Sequence, residues 1–218
     1  MSRLSFYMTP GSCSTAIHII LEELEEVFEA TIVNLPAGDH LKPDYVAMNP
    51  KSTIPALRLP DGRVLTEVPV IAWWLARSRA RAGLWPGEFV DETRAWEIMT
   101  YVAGTIHGQG FARLFATATF CRNEAEWEAV RTLGREMVTR GFAIMAASLP
   151  ESGYALGRFS VVDPVLFYVE FWADKLGLAL PQPLAAHYRL MLGRPAVNRV
   201  LREEGYDPAA LGQRTAME

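Results

Sequence analysis

The first eighty residues alternate between short apolar runs and one-sided helical patterns. Leu4 to Met8 is an apolar run of strand length, and the Thr9-Pro10-Gly11-Ser12 that follows is turn chemistry. From Ser14 to Glu25, Ala16, Ile17, Ile20, Leu21 and Leu24 recur at helical spacing, with Glu22, Glu23, Glu25 and Glu26 turned towards solvent. Phe28 to Leu35 alternates as a second strand does, so strand, helix and strand form a crossover unit whose strands run parallel. A loop over Pro36 to Leu41 and a short, weakly patterned helix over Lys42 to Met48 come next. Ala56 to Thr66 then reads as two short apolar segments around Pro60-Asp61-Gly62, which predicts a hairpin. A helix from Val68 to about Ala82 completes the order βαβαββα.

After the breaker-rich segment Arg81-Ala-Gly-Leu-Trp-Pro-Gly87 the pattern is helical throughout. Glu88 to Gly110 carries Trp96, Met99, Val102 and Ile106 at helical spacing, and Glu124 to Leu149 carries a second long apolar stripe. Ser160-Val-Val-Asp163 is a capping box in its Asp form, opening an apolar helix through Trp172, with Pro164 early enough to be tolerated. Shorter helices are predicted near Leu184 to Leu192 and Pro195 to Glu203, and the last dozen residues read as a tail. The pattern therefore divides the chain into residues 1–82, a linker at about 83–87, and an all-helical 88–218. It shows no internal repeat and no low-complexity segment.

Composition narrows the class. With 218 residues, half of them apolar and 21% charged, the chain is globular and large enough for one big core or two modest ones. A net charge of -4 gives no electrostatic reason to expect nucleic acid or an anionic membrane as partner. The N-terminal MSRLSFYMTPGSC lacks a signal-peptide pattern, and no segment approaches 18 uninterrupted apolar residues, so a cytoplasmic protein is expected. The two cysteines, Cys13 and Cys121, match neither a disulfide framework nor a zinc motif. The four histidines, at 18, 40, 107 and 187, show no ligand spacing with each other or with the cysteines, and no metal site is expected.

Three positions carry candidate chemistry, each beside a plainer reading. Ile54-Pro55 precedes the first hairpin strand, where proline withholds a donor and forces Ile54 to extend. It is either a simple strand entry or a fixed corner, cis or trans, that presents the Ile54 backbone to a ligand. Glu67 stands where the second hairpin strand turns into a helix; the helix dipole alone favours a carboxylate there, and so would an arriving ammonium group. Cys13 follows a Pro-Gly turn at a helix start, where unpaired amides stabilise a thiolate; the alternative is a small buried hydrophobe.

Taken together, the X-Pro corner, hairpin, Thr66-Glu67 and amphipathic helix resemble the glutathione-binding half of the glutathione transferases. Residues 1–82 are similar to that family's thioredoxin-like domain from end to end. Tyr7-Met-Thr-Pro-Gly-Ser-Cys13-Ser14 resembles the first-strand motif of bacterial, beta-class-like members. The resemblance implies an α/β thioredoxin-like N-terminal domain followed by an all-α C-terminal helical bundle, a homodimer, and glutathione as co-substrate. It makes Cys13 the residue facing the glutathione sulfur, with Ser14 a secondary candidate. The Ile54 backbone would pair with the cysteinyl part in a strand-like contact, Pro55 would be a cis-proline, and Glu67 would receive the γ-glutamyl ammonium. His40 and Lys42 are what remain of the basic residues frequent in the loop before the second helix, and either would reach the glycine carboxylate.

The chain departs from the family pattern in places. Val68 replaces the usual serine, leaving its backbone amide but no hydroxyl for the γ-glutamyl carboxylate, so weakened affinity is expected. Met8 stands where an aromatic residue is common, and Gly108 follows His107 where a lysine is frequent. His107 aligns with a histidine that relatives point at the active site, although a lone histidine on such a helix is more often a packing residue. The implied reaction attaches the glutathione thiolate to a hydrophobic electrophile held against Met8, Phe111, Phe115 and Trp172, which also read as core stripe. Two other activities fit the same residues. Cys13 would run thiol-disulfide exchange with glutathione, though without the second cysteine of a C-x-x-C motif, or the architecture would serve as a non-catalytic binding module.

Overall fold

The computed structural model describes residues 3–213. Its N-terminal part contains β1 (Leu4–Met8), α1 (Ser14–Glu23), β2 (Phe28–Ile32), α2 (Pro43–Met48), β3 (Ala56–Arg58), β4 (Val64–Thr66) and α3 (Val68–Ser78). The strands form one mixed sheet in the order β2-β1-β3-β4. β1 pairs parallel with β2 and antiparallel with β3, and β3 pairs antiparallel with β4 across the expected hairpin. Leu4, Phe6 and Met8 alternate into the core from the central strand. All of Ser14 to Leu21 is buried, because α1 packs against α3 and also against helices of the C-terminal part.

Two expected elements are shorter than their patterns. β2 ends at Ile32 rather than Leu35: as an edge strand it has one neighbour, and Thr9 Oγ1 donates to the Val33 carbonyl at 2.6 Å. α3 ends at Ser78, whose hydroxyl donates back to the Leu75 carbonyl at 3.0 Å, and a single tight turn over Ala80–Ala82 leads to Gly83 at φ 67°.

The remainder is helical: α4 (Phe89–Tyr101), a π-helical stretch (Val102–Phe111), α5 (Ala112–Phe115), α6 (Thr117–Phe120), α7 (Trp127–Ala146), α8 (Val162–Leu176), α9 (Gln182–Leu192) and α10 (Pro195–Glu203). The predicted α-helix from Glu88 to Gly110 thus changes winding at Val102. Gly104, Gly108 and Gly110 weaken α-helical preference there, and α7 approaches closely. A Cβ on Gly110 would lie 2.6 Å from Val138 Cγ2, and one on Gly141 2.8 Å from Ile106 Cγ1. The predicted tail is also corrected. Pro208–Ala210 forms a turn with Pro208 buried, and the Gly212 amide donates to Asp174 Oδ2 at 2.8 Å; positions 214–218 of that expected tail lie outside the described residues. Among the described residues, no helix is long and apolar enough to cross a membrane.

The spine of this part is α8, buried from Val162 to Asp174. One half of the expected capping box forms, with Asp163 Oδ2 accepting from the Ser160 amide at 2.7 Å; the Ser160 hydroxyl accepts from the Val162 amide at 3.3 Å instead of that of Asp163, and Asp163 Oδ1 accepts from the Ala155 amide at 2.8 Å. His187 of α9 bridges Asp163 (3.1 Å) and Glu170 (2.8 Å) in the core. Burial opposes a charge on His187, but Glu170 and Asp163 prevail and raise its pKa to about 10. A raised histidine pKa stabilises the fold fully below the ordinary value near 6.5, and that contribution disappears as pH climbs through about 10. Thermal melting of the wild type should therefore drop between pH 7 and 10. His187→Ala, which leaves two carboxylates buried without their cation, should cost about 3–5 kcal/mol by denaturant unfolding at pH 7.

Candidate active site

The loop between β1 and α1 is shaped from within and gripped from outside. Ser14 Oγ accepts from the Thr9 amide (3.1 Å), donates to the Thr9 carbonyl (3.0 Å) and lies 2.6 Å from Ser12 Oγ. Ser14 is fully buried and closes the turn, while Ser12 faces the cleft. Gly11 sits at φ 71°, and a Cβ there would fall 2.0 Å from the Tyr206 hydroxyl oxygen, so only glycine fits. Two residues of the helical part hold its backbone: the Gly11 amide donates to Glu204 Oε2 at 2.7 Å, and Trp172 Nε1 donates to the Gly11 carbonyl at 2.7 Å. Glu204 Oε2 also accepts from Thr15 Oγ1 at 2.6 Å, and its Oε1 lies 2.9 Å from His18 Nδ1. His18 Nε2 approaches Glu203 at 3.2 Å, and Glu22 pairs with Arg199 at 2.7 Å. The ligand atoms of His18, Glu22 and Glu203 lie within 4.8 Å of one another, but these partners already close the group.

Cys13 stands at the start of α1, buried, with its thiol donating to the Ile54 carbonyl at 3.6 Å. The Ile54–Pro55 bond is cis. From behind, Tyr45 Oη (2.6 Å) and Asn49 Nδ2 (2.8 Å) both donate to the Thr53 carbonyl and fix the approach to this corner. Among the described residues, the Ile54 amide donates no hydrogen bond, which leaves a donor for an extended ligand. Glu67 adopts φ 71°, a region that non-glycine residues enter rarely, at the entry to α3. Its carboxylate is exposed and held by Lys51 Nζ at 2.7 Å, which also donates to Thr66 Oγ1 at 3.0 Å. Glu67 is near enough to act on the Cys13 thiol.

A cleft of about 740 Å³ opens over Cys13 between the two parts of the chain. One wall carries Ser12, Ser52, Thr53, Ile54 and His40; the other carries His107, Phe115, Phe171, Trp172, Lys175 and Tyr206. His40 Nδ1 is buried without a partner among the described residues. The His107 ring packs 4.8 Å from the ring of Trp172, and Nδ1 lies 3.3 Å from the Tyr168 hydroxyl. Burial lowers the His107 pKa to about 4, so the ring is neutral at pH 7. Burial also pushes the Cys13 thiol up to about 12, although the amides of Cys13 and Ser14 at the helix start pull the other way. Of the two readings of Cys13, the geometry favours the buried neutral thiol: desolvation outweighs the helix start.

Residues 11–78 match the family model described as the glutathione S-transferase N-terminal domain. The chain is 33% identical over 211 residues to Glutathione S-transferase GstA of Escherichia coli O157:H7, an alignment spanning 93% of this chain and 99% of that protein. The chain belongs to the glutathione S-transferase family. A glutathione transferase homologue from Sulfitobacter, solved with bound glutathione, superposes on this transferase with a TM-score of 0.86 at 29% identity, covering 93% of this chain and 99% of the other. The beta-class glutathione S-transferase of Sphingomonas chungbukensis gives a TM-score of 0.79 at 28% identity, covering 92% and 98% respectively.

Within the transferase cleft, the structure brings together Cys13, Ile54, His40, His107, Phe115 and Trp172. Met8 and Phe111, expected against the electrophile, do not line it. Met8 points into the core beneath the sheet, and Phe111 is fully buried behind Phe115 and Trp172, at ring distances of 5.8 and 5.3 Å. Pro55, Val68, Glu67 and Lys42 also lie outside the lining. Pro55 and Val68 are buried, and Lys42 is exposed and paired with Asp39 at 2.6 Å. Sequence reasoning missed Glu204, Tyr206, Lys175, Asn49 and Ser12; of these, only Ser12, inside the Pro-Gly turn, carried a local signal.

The protonated thiol has a direct consequence in the transferase. Iodoacetamide at pH 8 should label Cys13 at least about a hundredfold more slowly than the less buried Cys121. Peptide mass spectrometry over a time course measures the two rates.

Proposed function

We propose that this transferase binds glutathione as a strand-like segment along Ile54 and conjugates its thiolate to a hydrophobic electrophile in the cleft. The observation that carries the reading is the meeting of the uncommitted Ile54 amide, the neutral Cys13 thiol and an apolar wall of Phe115 and Trp172 in one cavity. The γ-glutamyl ammonium takes the place of Lys51 on Glu67, and the γ-glutamyl carboxylate meets the amides that start α3, Val68 included. The glycine carboxylate lies towards His40, whose buried Nδ1 needs a partner, with Lys42 farther out. The Cys13 S–H and the amides at the start of α1 then stabilise the glutathione sulfur as thiolate. That sulfur forms a C–S bond to the electrophile, the leaving group departs with its electron pair, and the thiol proton passes to solvent. Neutral His107, held by Tyr168 and Trp172, offers a hydrogen-bonding edge to the electrophile. Ser14 is spent on the turn and acts only through it.

Disulfide exchange at Cys13 needs a thiolate at that position, which burial disfavours, so conjugation is the better-supported activity. Both cysteines are free thiols, as suits a reducing cytoplasm. The expected homodimer is supported by Val70, Trp73, Phe89 and Val90, apolar side chains exposed along α3 and the start of α4.

Calorimetric titration should show glutathione binding at one site per chain, and conjugation should follow with 1-chloro-2,4-dinitrobenzene. Cys13→Ser, which keeps a donor, should retain most of kcat/KM, while Cys13→Ala should lower it about tenfold. No glutathione binding would leave only the binding-module reading; loss confined to reduction of a glutathione mixed disulfide would make Cys13 a redox residue. Light scattering at micromolar concentration should give twice the chain mass, and a monomer mass would overturn the dimer.

A further inference from the structure

We propose that Lys175 makes this cleft selective for electrophiles that carry a carboxylate on an aromatic or apolar body. The inference rests on the conjugation reading above and names the substrate class that reading leaves open.

The first observation is what the cleft excludes. The chain carries more acidic than basic residues, 25 against 21, yet no aspartate or glutamate among the described residues lines the cavity. The nitrogen-bearing side chains that do are His40, His107 and Lys175, together with Trp172. Among these, Lys175 alone is an ammonium-bearing side chain. A lysine in the last turn of α8 is favoured by the helix dipole alone. That preference explains neither the absence of carboxylates from the walls nor the placement of the ammonium.

Placement is the second observation. Lys175 follows Phe171 by four residues and Trp172 by three, so it stands on the same face of α8, one turn nearer the helix C-terminus. Its Nζ lies 5.1 Å from the ring centre of Tyr206. Tyr206 is itself fixed, edge-on to Phe171 at 5.0 Å, with its hydroxyl against Gly11. The tyrosine that carries the ammonium thus abuts the loop that carries Cys13.

The third observation is that the other lysines near the site are committed. Lys51 pairs with Glu67 and Lys42 with Asp39, whereas no carboxylate among the described residues forms an ion pair with Lys175. In the proposed binding mode, both glutathione carboxylates lie on the opposite wall, at the start of α3 and near His40. The anion left for Lys175 belongs to the second substrate. Its apolar body rests on Phe115 and Trp172, and its carboxylate points to Lys175 beside Tyr206.

Binding and turnover test this separately on the full-length protein. Calorimetry with unreactive 3,5-dinitrobenzoate and its neutral isostere 3,5-dinitrobenzamide should show the benzoate binding about fivefold tighter, an advantage that shrinks with added salt. Lys175→Met should bring the ratio to about one and Lys175→Arg should restore it, with thermal melting as the check on folding. Equal binding of the two probes to the wild type, or a preference that survives in Lys175→Met, overturns the proposal. Turnover of 4-chloro-3,5-dinitrobenzoate and the matching amide with glutathione should show the same ratio in KM rather than in kcat. If neither compound is turned over while the binding preference persists, conjugation fails and carboxylate selection stands. If both are turned over with the same KM, conjugation stands and carboxylate selection fails.

Discussion

The structure depends on one buried carboxylate that ties its two parts together at the loop where chemistry would occur. Glu204, with its side chain 1% exposed, receives a backbone amide from Gly11 and a hydroxyl from Thr15, and meets the ring of His18. Charge-assisted bonds in a dry interior are strong when every one is made and costly when one is missing. Glu204 therefore couples the conformation of the Pro10–Cys13 turn to the seating of α10 on α1. Trp172 acts on the other side of the same peptide, donating to the Gly11 carbonyl while its ring forms part of the cleft wall. One glycine is held at both backbone groups by residues 161 and 193 positions away.

That grip explains why Cys13 is protected rather than activated. A cysteine at a helix start is ordinarily drawn towards the thiolate by the amides around it, and those of Cys13 and Ser14 do pull in that direction. Here the helical part presses the loop into the interior, and the loss of water dominates. The same desolvation keeps His107 neutral. The cleft thus offers donors and an apolar wall, with Cys13 and His107 both neutral beside it.

Features read from neighbouring residues were legible in the sequence: the hairpin at Asp61-Gly62, the Ile54-Pro55 corner, the Cys13 turn and the capping box at Ser160 all announce themselves within a few positions. What failed was longer in range. The change of winding at Val102 has only a weak local mark in Gly104, Gly108 and Gly110, and the close approach of Gly141 and Val138 from α7 that accompanies it is not local. Met8 and Phe111 are apolar, as a cleft wall is, and only packing shows that they lie one layer behind it. Glu204 and Tyr206 fall near the end of the chain, where a polar pattern reads as surface. Their partners at Gly11, Thr15 and His18 appear only once the chain has folded back.

The Lys51–Glu67 pair has a consequence of its own. Because the Lys51 ammonium already neutralises that carboxylate, an amine arriving in the proposed binding mode would trade places with a tethered one instead of meeting a bare anion. The number of ion pairs at the corner is conserved through the exchange, so little electrostatic energy is gained or lost there. In that binding mode, selectivity at this end of the groove would come from shape and backbone pairing rather than from charge.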